Sequence, residues 1–109
     1  MKAIKHYLDA ARDKLDPSPA SRENKPTDYW LAKQLGARPS LISNYRSGLS
    51  FPDEAVAIRL AKLLAINPLE IIAVANYHRA IRIQKRQRKD TSEEQKFWRQ
   101  VYRDVAKKK

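Results

Sequence analysis

Ala32, Gly36 and Ile42 stand in the spacing Ala-x3-Gly-x5-Ile, and the residue type at each position answers a separate steric demand. A small side chain at 32 lets two helices cross closely. A glycine at 36 accepts the positive φ of a tight turn. A branched apolar group at 42 pins the second helix against the first. Leu31, Leu35 and Tyr45 complete the same contact. The chain has 2 glycines, Gly36 and Gly48, and both fall at the edges of the second helix of this pair. An ordinary helical hairpin needs no such joint match. The pattern predicts a helix-turn-helix over 27–48, with Ala32, Gly36 and Ile42 as its motif core, and the chemistry of that device is hydrogen bonding to duplex DNA.

Residues for other chemistry are wanting. With 0 cysteines, neither a disulfide nor a thiolate metal site is expected. His6 and His78 are far apart and form no ligand pair. No nucleophile–base pair, carboxylate dyad or phosphate-cradling loop is visible. The expectation is therefore no metal, no cofactor, no small-molecule ligand and no enzymatic activity. The 23 Lys and Arg against 12 Asp and Glu give a net charge of +11. Residues 79–109 carry most of that excess, with 12 basic and 4 acidic side chains. Such a surface concentrates polyanions. The most apolar window, Ala55 to Ala75, is broken by Arg59, Lys62 and Glu70, and the N-terminus turns polar too soon for a secretory signal. A soluble, cytoplasmic and nucleoid-associated protein without a membrane partner is the expectation.

The elements that must hold the motif are helical throughout. Residues 3–15 form an amphipathic stripe of Ile4, Tyr7, Leu8, Ala11 and Leu15. Residues 16–26 carry three prolines and read as an exposed connector. Thr27 caps a second helix ending at Leu35, and Gly36 closes it. Pro39 opens a third helix, to about Ser47. A fourth runs from Pro52 to Ala65. Asn67-Pro68-Leu69-Glu70 starts a fifth, with Asn as cap and Glu three residues later, running past Arg82. Thr91 to Glu94 offers a capping box for a last helix, whose apolar stripe is Phe97, Trp98, Val101, Tyr102 and Val105. The fold class is all-α: about five helices in a bundle over 1–82, then a basic C-terminal helical extension over 83–109, whose three final lysines are expected to be disordered.

The stretch LAKQLGARPSLISNYRSG (31–48) resembles the helix-turn-helix of the λ-repressor/Cro-like family, also called the xenobiotic-response-element family. FPDEAVAIRLAKLLAINPLEII (51–72) resembles that family's fourth and fifth helices, so the likeness spans roughly 28–80. The layout with a Trp-bearing C-terminal segment is similar, more loosely, to small phage repressors. This resemblance implies that helix 39–47 lies in the major groove. It implies base reading by Pro39, Ser40, Ser43 and Asn44, and phosphate contacts by Thr27, Asp28, Arg38, Arg46 and Ser47. Asn can bond two atoms, N6 and N7, on the major-groove edge of adenine, and Ser can serve several bases. Pro39 stands where the family often has a long polar reader. Arg38 replaces a Ser or Thr cap, Leu41 is apolar where a polar residue is common, and Asp28 puts a negative charge beside an expected phosphate.

One reading helix of small polar residues makes few base contacts, which points to a homodimer on two half-sites. Trp98, Val101, Tyr102 and Val105 form a candidate dimer interface, with intramolecular packing as the competing use of the same stripe. Arg79, Arg82, Lys85, Arg86, Arg88 and Lys89 are candidates for gripping phosphates, against a plain solvated face. The expected function is a transcriptional repressor of phage or mobile-element type that binds double-stranded DNA as a dimer. The alternatives are an activator, an antitoxin-type autoregulator, or a basic module for RNA or protein.

Overall fold

A computed structural model describes residues 1–15 and 27–106. The expected connector 16–26 and the three terminal lysines lie outside the described residues. Six helices follow in order: α1 (Ile4–Lys14), α2 (Asp28–Leu35), α3 (Pro39–Ser47), α4 (Glu54–Leu64), α5 (Pro68–Gln87) and α6 (Ser92–Ala106). No strand occurs among the described residues, so the architecture is all-α.

The first five helices share one core. Leu8 of α1, Leu31 and Leu35 of α2, Ile42 of α3, Leu60 of α4, and Ile71 and Val74 of α5 are fully enclosed. Each such side chain contributes about 1.5–3 kcal/mol on leaving water. Ala11, Ala32, Ala57 and Ala61 are also buried, and these small groups let the helix axes approach. Across this core the Tyr7 hydroxyl donates to Glu70 Oε2 at 2.7 Å, joining α1 to the first turn of α5. Burial, followed by the bond to Glu70, raises the Tyr7 phenol above its ordinary range and keeps it a donor.

Local signals set most boundaries. Thr27 Oγ1 accepts from Trp30 N at 3.1 Å, and Asn67 Oδ1 accepts from Leu69 N at 2.9 Å. Three differences from the sequence reading have local causes. The fourth helix starts at Glu54 rather than Pro52, because Asp53 Oδ1 caps Val56 N at 2.9 Å. Glu70 does not return to its cap residue, since its carboxylate serves Tyr7. The capping box expected at Thr91–Glu94 is replaced by a different bond set. The Thr91 hydroxyl donates to Ala80 O at 2.7 Å, and its N–H donates to Gln84 Oε1 at 3.1 Å. Thr91 is thereby buried and anchors α6 to α5.

The boundary expected between 82 and 83 falls inside α5, which is continuous to Gln87. Arg88 then takes a left-handed conformation (φ 52°), and α6 folds back along α5. Thr91 meets Ala80, and Arg99 Nη2 donates to Tyr77 Oη at 3.2 Å, which fixes the antiparallel sense. None of α6 is fully buried. Trp98, Val101, Tyr102 and Val105 are half-buried, and Tyr102 packs on the core. Phe97 remains 58% exposed. Much of the stripe is thus used within the chain. No helix among the described residues is long and apolar enough to cross a membrane.

Candidate nucleic-acid interface

The α2–α3 pair is built on the turn at Gly36. Gly36 sits at φ 65°, ψ 31°, a left-handed C-cap, and its N–H reaches Lys33 O at 3.3 Å. Ala37 N donates to Ala32 O at 2.9 Å, completing the reversal. Arg59 Nη1 of α4 donates to Leu35 O at 3.1 Å, which supplies a cation to the negative end of α2. Pro39 occupies the first turn of α3, and Arg38 takes the extended cap conformation (φ −77°, ψ 146°) without capping through its side chain. Gly48 closes α3 at φ 79°.

Ile42 and Tyr45 point inward and are buried, which turns the opposite face of α3 outward. Pro39, Ser40, Ser43 and Ser47 are exposed on that face, with Arg38 beside them. Asn44 is half-buried. Its carbonyl accepts from Leu49 N at 3.0 Å and from Ser47 Oγ at 3.2 Å. The candidate readers Pro39, Ser40, Ser43 and Asn44 therefore share one short helix, with three of them open to solvent.

Arg46, expected at a phosphate, is engaged elsewhere. Its Nε donates to Asp28 Oδ2 at 2.9 Å and its Nη2 to Asp28 Oδ1 at 2.8 Å, the paired geometry of a guanidinium fork on a carboxylate. Its Nη1 also bonds Asp9. Arg12 lies 3.5 Å from Asp28 and 3.8 Å from Asp9. Two cations and two carboxylates thus close a neutral cluster joining α1, α2 and α3. The hydrogen bond from Arg46 holds the Asp9 carboxyl below its ordinary value, and the bond that Arg46 donates to Asp28 raises the Arg46 guanidinium. The unfavourable charge anticipated at Asp28 is matched in place. Arg46, anticipated at a phosphate, is thus held in ion pairs that orient α3.

The basic C-terminal set divides in the same way. Arg79 Nη2 donates to Phe51 O at 3.4 Å and Pro52 O at 3.3 Å. Arg82 Nη1 donates to Gly48 O at 2.8 Å and bonds Leu49 O. Both brace the loop after α3. Lys85, Arg86, Arg88 and Lys89 are exposed. The bracing by Arg59, Arg79 and Arg82 carries no sequence signal, because their acceptors are backbone carbonyls 24 to 34 positions away. Asp9 was likewise missed, since only its neighbourhood with Arg46, 37 positions on, gives it a role. Among the described residues no group of three or more His, Cys, Asp or Glu could hold a metal ion. No family model, curated protein or solved structure matches the chain.

Proposed function

We propose that the chain is a sequence-specific, double-stranded DNA-binding transcriptional repressor of the λ-repressor-like type, of phage or mobile-element character, acting as a homodimer in the cytoplasm. The observation that supports this most is the outer face of α3. Pro39, Ser40 and Ser43 stand exposed on a helix whose inner face is pinned by Ile42 and whose orientation is fixed by Arg46. A short helix held rigidly with small polar groups outward can enter a major groove without steric conflict and present hydroxyl and amide groups to base edges. Arg38 and Ser47 flank it and suit phosphates. Lys85, Arg86, Arg88 and Lys89 add exposed charge and raise affinity without adding sequence information.

Selection of bound duplexes from a random pool tests this reading. Two related half-sites about one helical turn apart (~34 Å) are expected. A Ser40→Ala/Ser43→Ala/Asn44→Ala chain should lose the preference for the selected site by at least roughly tenfold while keeping non-specific binding, since each base-edge contact discriminates by ~1–3 kcal/mol. Unchanged preference in that variant would falsify the groove-reading function.

A further inference from the structure

A groove of about 450 Å³ opens between the N-terminus of α1, the C-terminal end of α3 and the second half of α5. Its floor is apolar and aromatic, with Ile4, Phe51 and Ile81, and its rim carries Lys5, Lys85 and Arg86. No Asp or Glu lines it. His78 belongs to the same wall, its ring stacked on Phe51 at 6.4 Å between centroids and 15° between planes. The His78 Nε2 atom is buried without a hydrogen-bond partner among the described residues.

We propose that this groove is a binding site for a small amphipathic anion: a flat apolar body carrying one carboxylate, sulfonate or phosphate group. Its size lies within the range of small-molecule sites, and an apolar floor with a few convergent polar groups is what such sites present. The apolar body lies on Ile4 and Ile81 against the Phe51–His78 stack, and the anionic group meets Lys5, Lys85 and Arg86. A DNA backbone fits the groove less well. A phosphodiester chain has no use for the apolar floor and would be served by an exposed cationic ridge. The inference goes beyond the DNA-reading function and stands without it: Pro39, Ser40, Ser43 and Asn44 do not line the groove, although Ser47, Lys85 and Arg86 are shared with the proposed phosphate contacts.

The probe is 8-anilinonaphthalene-1-sulfonate, an aromatic body with a single sulfonate whose emission rises and shifts to the blue on entering an apolar site. Saturable binding with one site per chain is expected. The double variant Lys85→Ala/Arg86→Ala alters exposed side chains and leaves the helices intact; it should weaken the probe roughly tenfold or more, about one charge-assisted contact. Ile81→Trp should fill the groove and abolish binding, with circular dichroism confirming the fold. Phe97→Ser, on the separate exposed patch of α6, should leave affinity unchanged. Full affinity in the Lys85/Arg86 variant, or loss of the signal in Phe97→Ser, overturns the proposal. DNA affinity is measured on the same variants separately, so failure of DNA reading leaves the groove test intact.

Discussion

Arg46 shows how much one side chain can organise. Its fork grips both oxygens of Asp28 while its remaining nitrogen reaches Asp9, so the first three helices are tied at one guanidinium. Its side chain is 17% exposed, against 39% for Asp9 and 38% for Asp28, so water screens the carboxylates and the pairs are weaker than buried ones. Replacing Arg46 by Ala should cost about 1–2 kcal/mol of stability at neutral pH. The pH dependence has a definite sign. Arg46 lowers the folded-state pKa of Asp9 beneath its ordinary 3.8, so this contribution is complete above that value and fades as pH falls through the lower folded pKa. Urea midpoints of the wild type and Arg46→Ala should therefore converge below about pH 4; a constant gap down to pH 2 would show that the network contributes no linkage. The residue's role was not legible in the sequence. Its partners lie 18 and 37 positions away, beyond any helical periodicity, whereas its place beside an outward-facing helix stripe is a local fact. Ile42 and Ala32 were legible because burial follows spacing on their own helices.

Helix ends were the best-written part of the chain. Thr27, Gly36, Pro39, Gly48 and Asn67 each stop or start a helix by chemistry confined to one turn, and the structure places α2 and α3 between those marks. At Thr91 the place of the helix start is as expected, with α6 beginning at Ser92, but the bond is not, because the Thr91 hydroxyl is drawn to Ala80 in the preceding helix. The two glycines allow the element-level account to be tested. Both have positive φ, but a Cβ at Gly48 meets open space, while one at Gly36 collides with Arg59 Nη1. Gly48→Ala should cost only backbone strain, about 1–2 kcal/mol. Gly36→Ala must also displace Arg59 from Leu35 O, adding about 1 kcal/mol. Combining Gly36→Ala with Arg59→Ala should remove that surplus. A double-mutant cycle on urea stability reads the coupling directly, and a value near zero would mean that Arg59 does not brace the turn.

At the scale of the whole molecule, the sequence predicts a bundle over 1–82 and an extension over 83–109, and the net charge rises sharply from 79 onward. Charge density reports solvent-facing residues; cooperativity follows the buried ones. Those run the other way: α5 is unbroken across the division, Thr91 is buried against Ala80, and Tyr102 packs on the core that holds Tyr7. Helix α6 is therefore expected to unfold together with α1–α5, although none of its own residues is fully buried. The two tryptophans make this measurable, since Trp30 lies in α2 and Trp98 in α6. Single-tryptophan chains, Trp98→Phe reporting from α2 and Trp30→Phe reporting from α6, should each give a fluorescence midpoint coincident with their own circular-dichroism midpoint in urea. Coincidence is the signature of one cooperative transition, in which the docked helix is lost only when the core is lost. An early transition at Trp98 with the helical core still standing would instead make α6 a separately melting appendage. Truncation after Gln87 carries the same argument further. It removes the partners of Ala80 O and Gln84 and uncovers one side of α5, so the shortened chain should unfold at a lower urea midpoint and with a smaller m-value, in proportion to the surface it no longer buries.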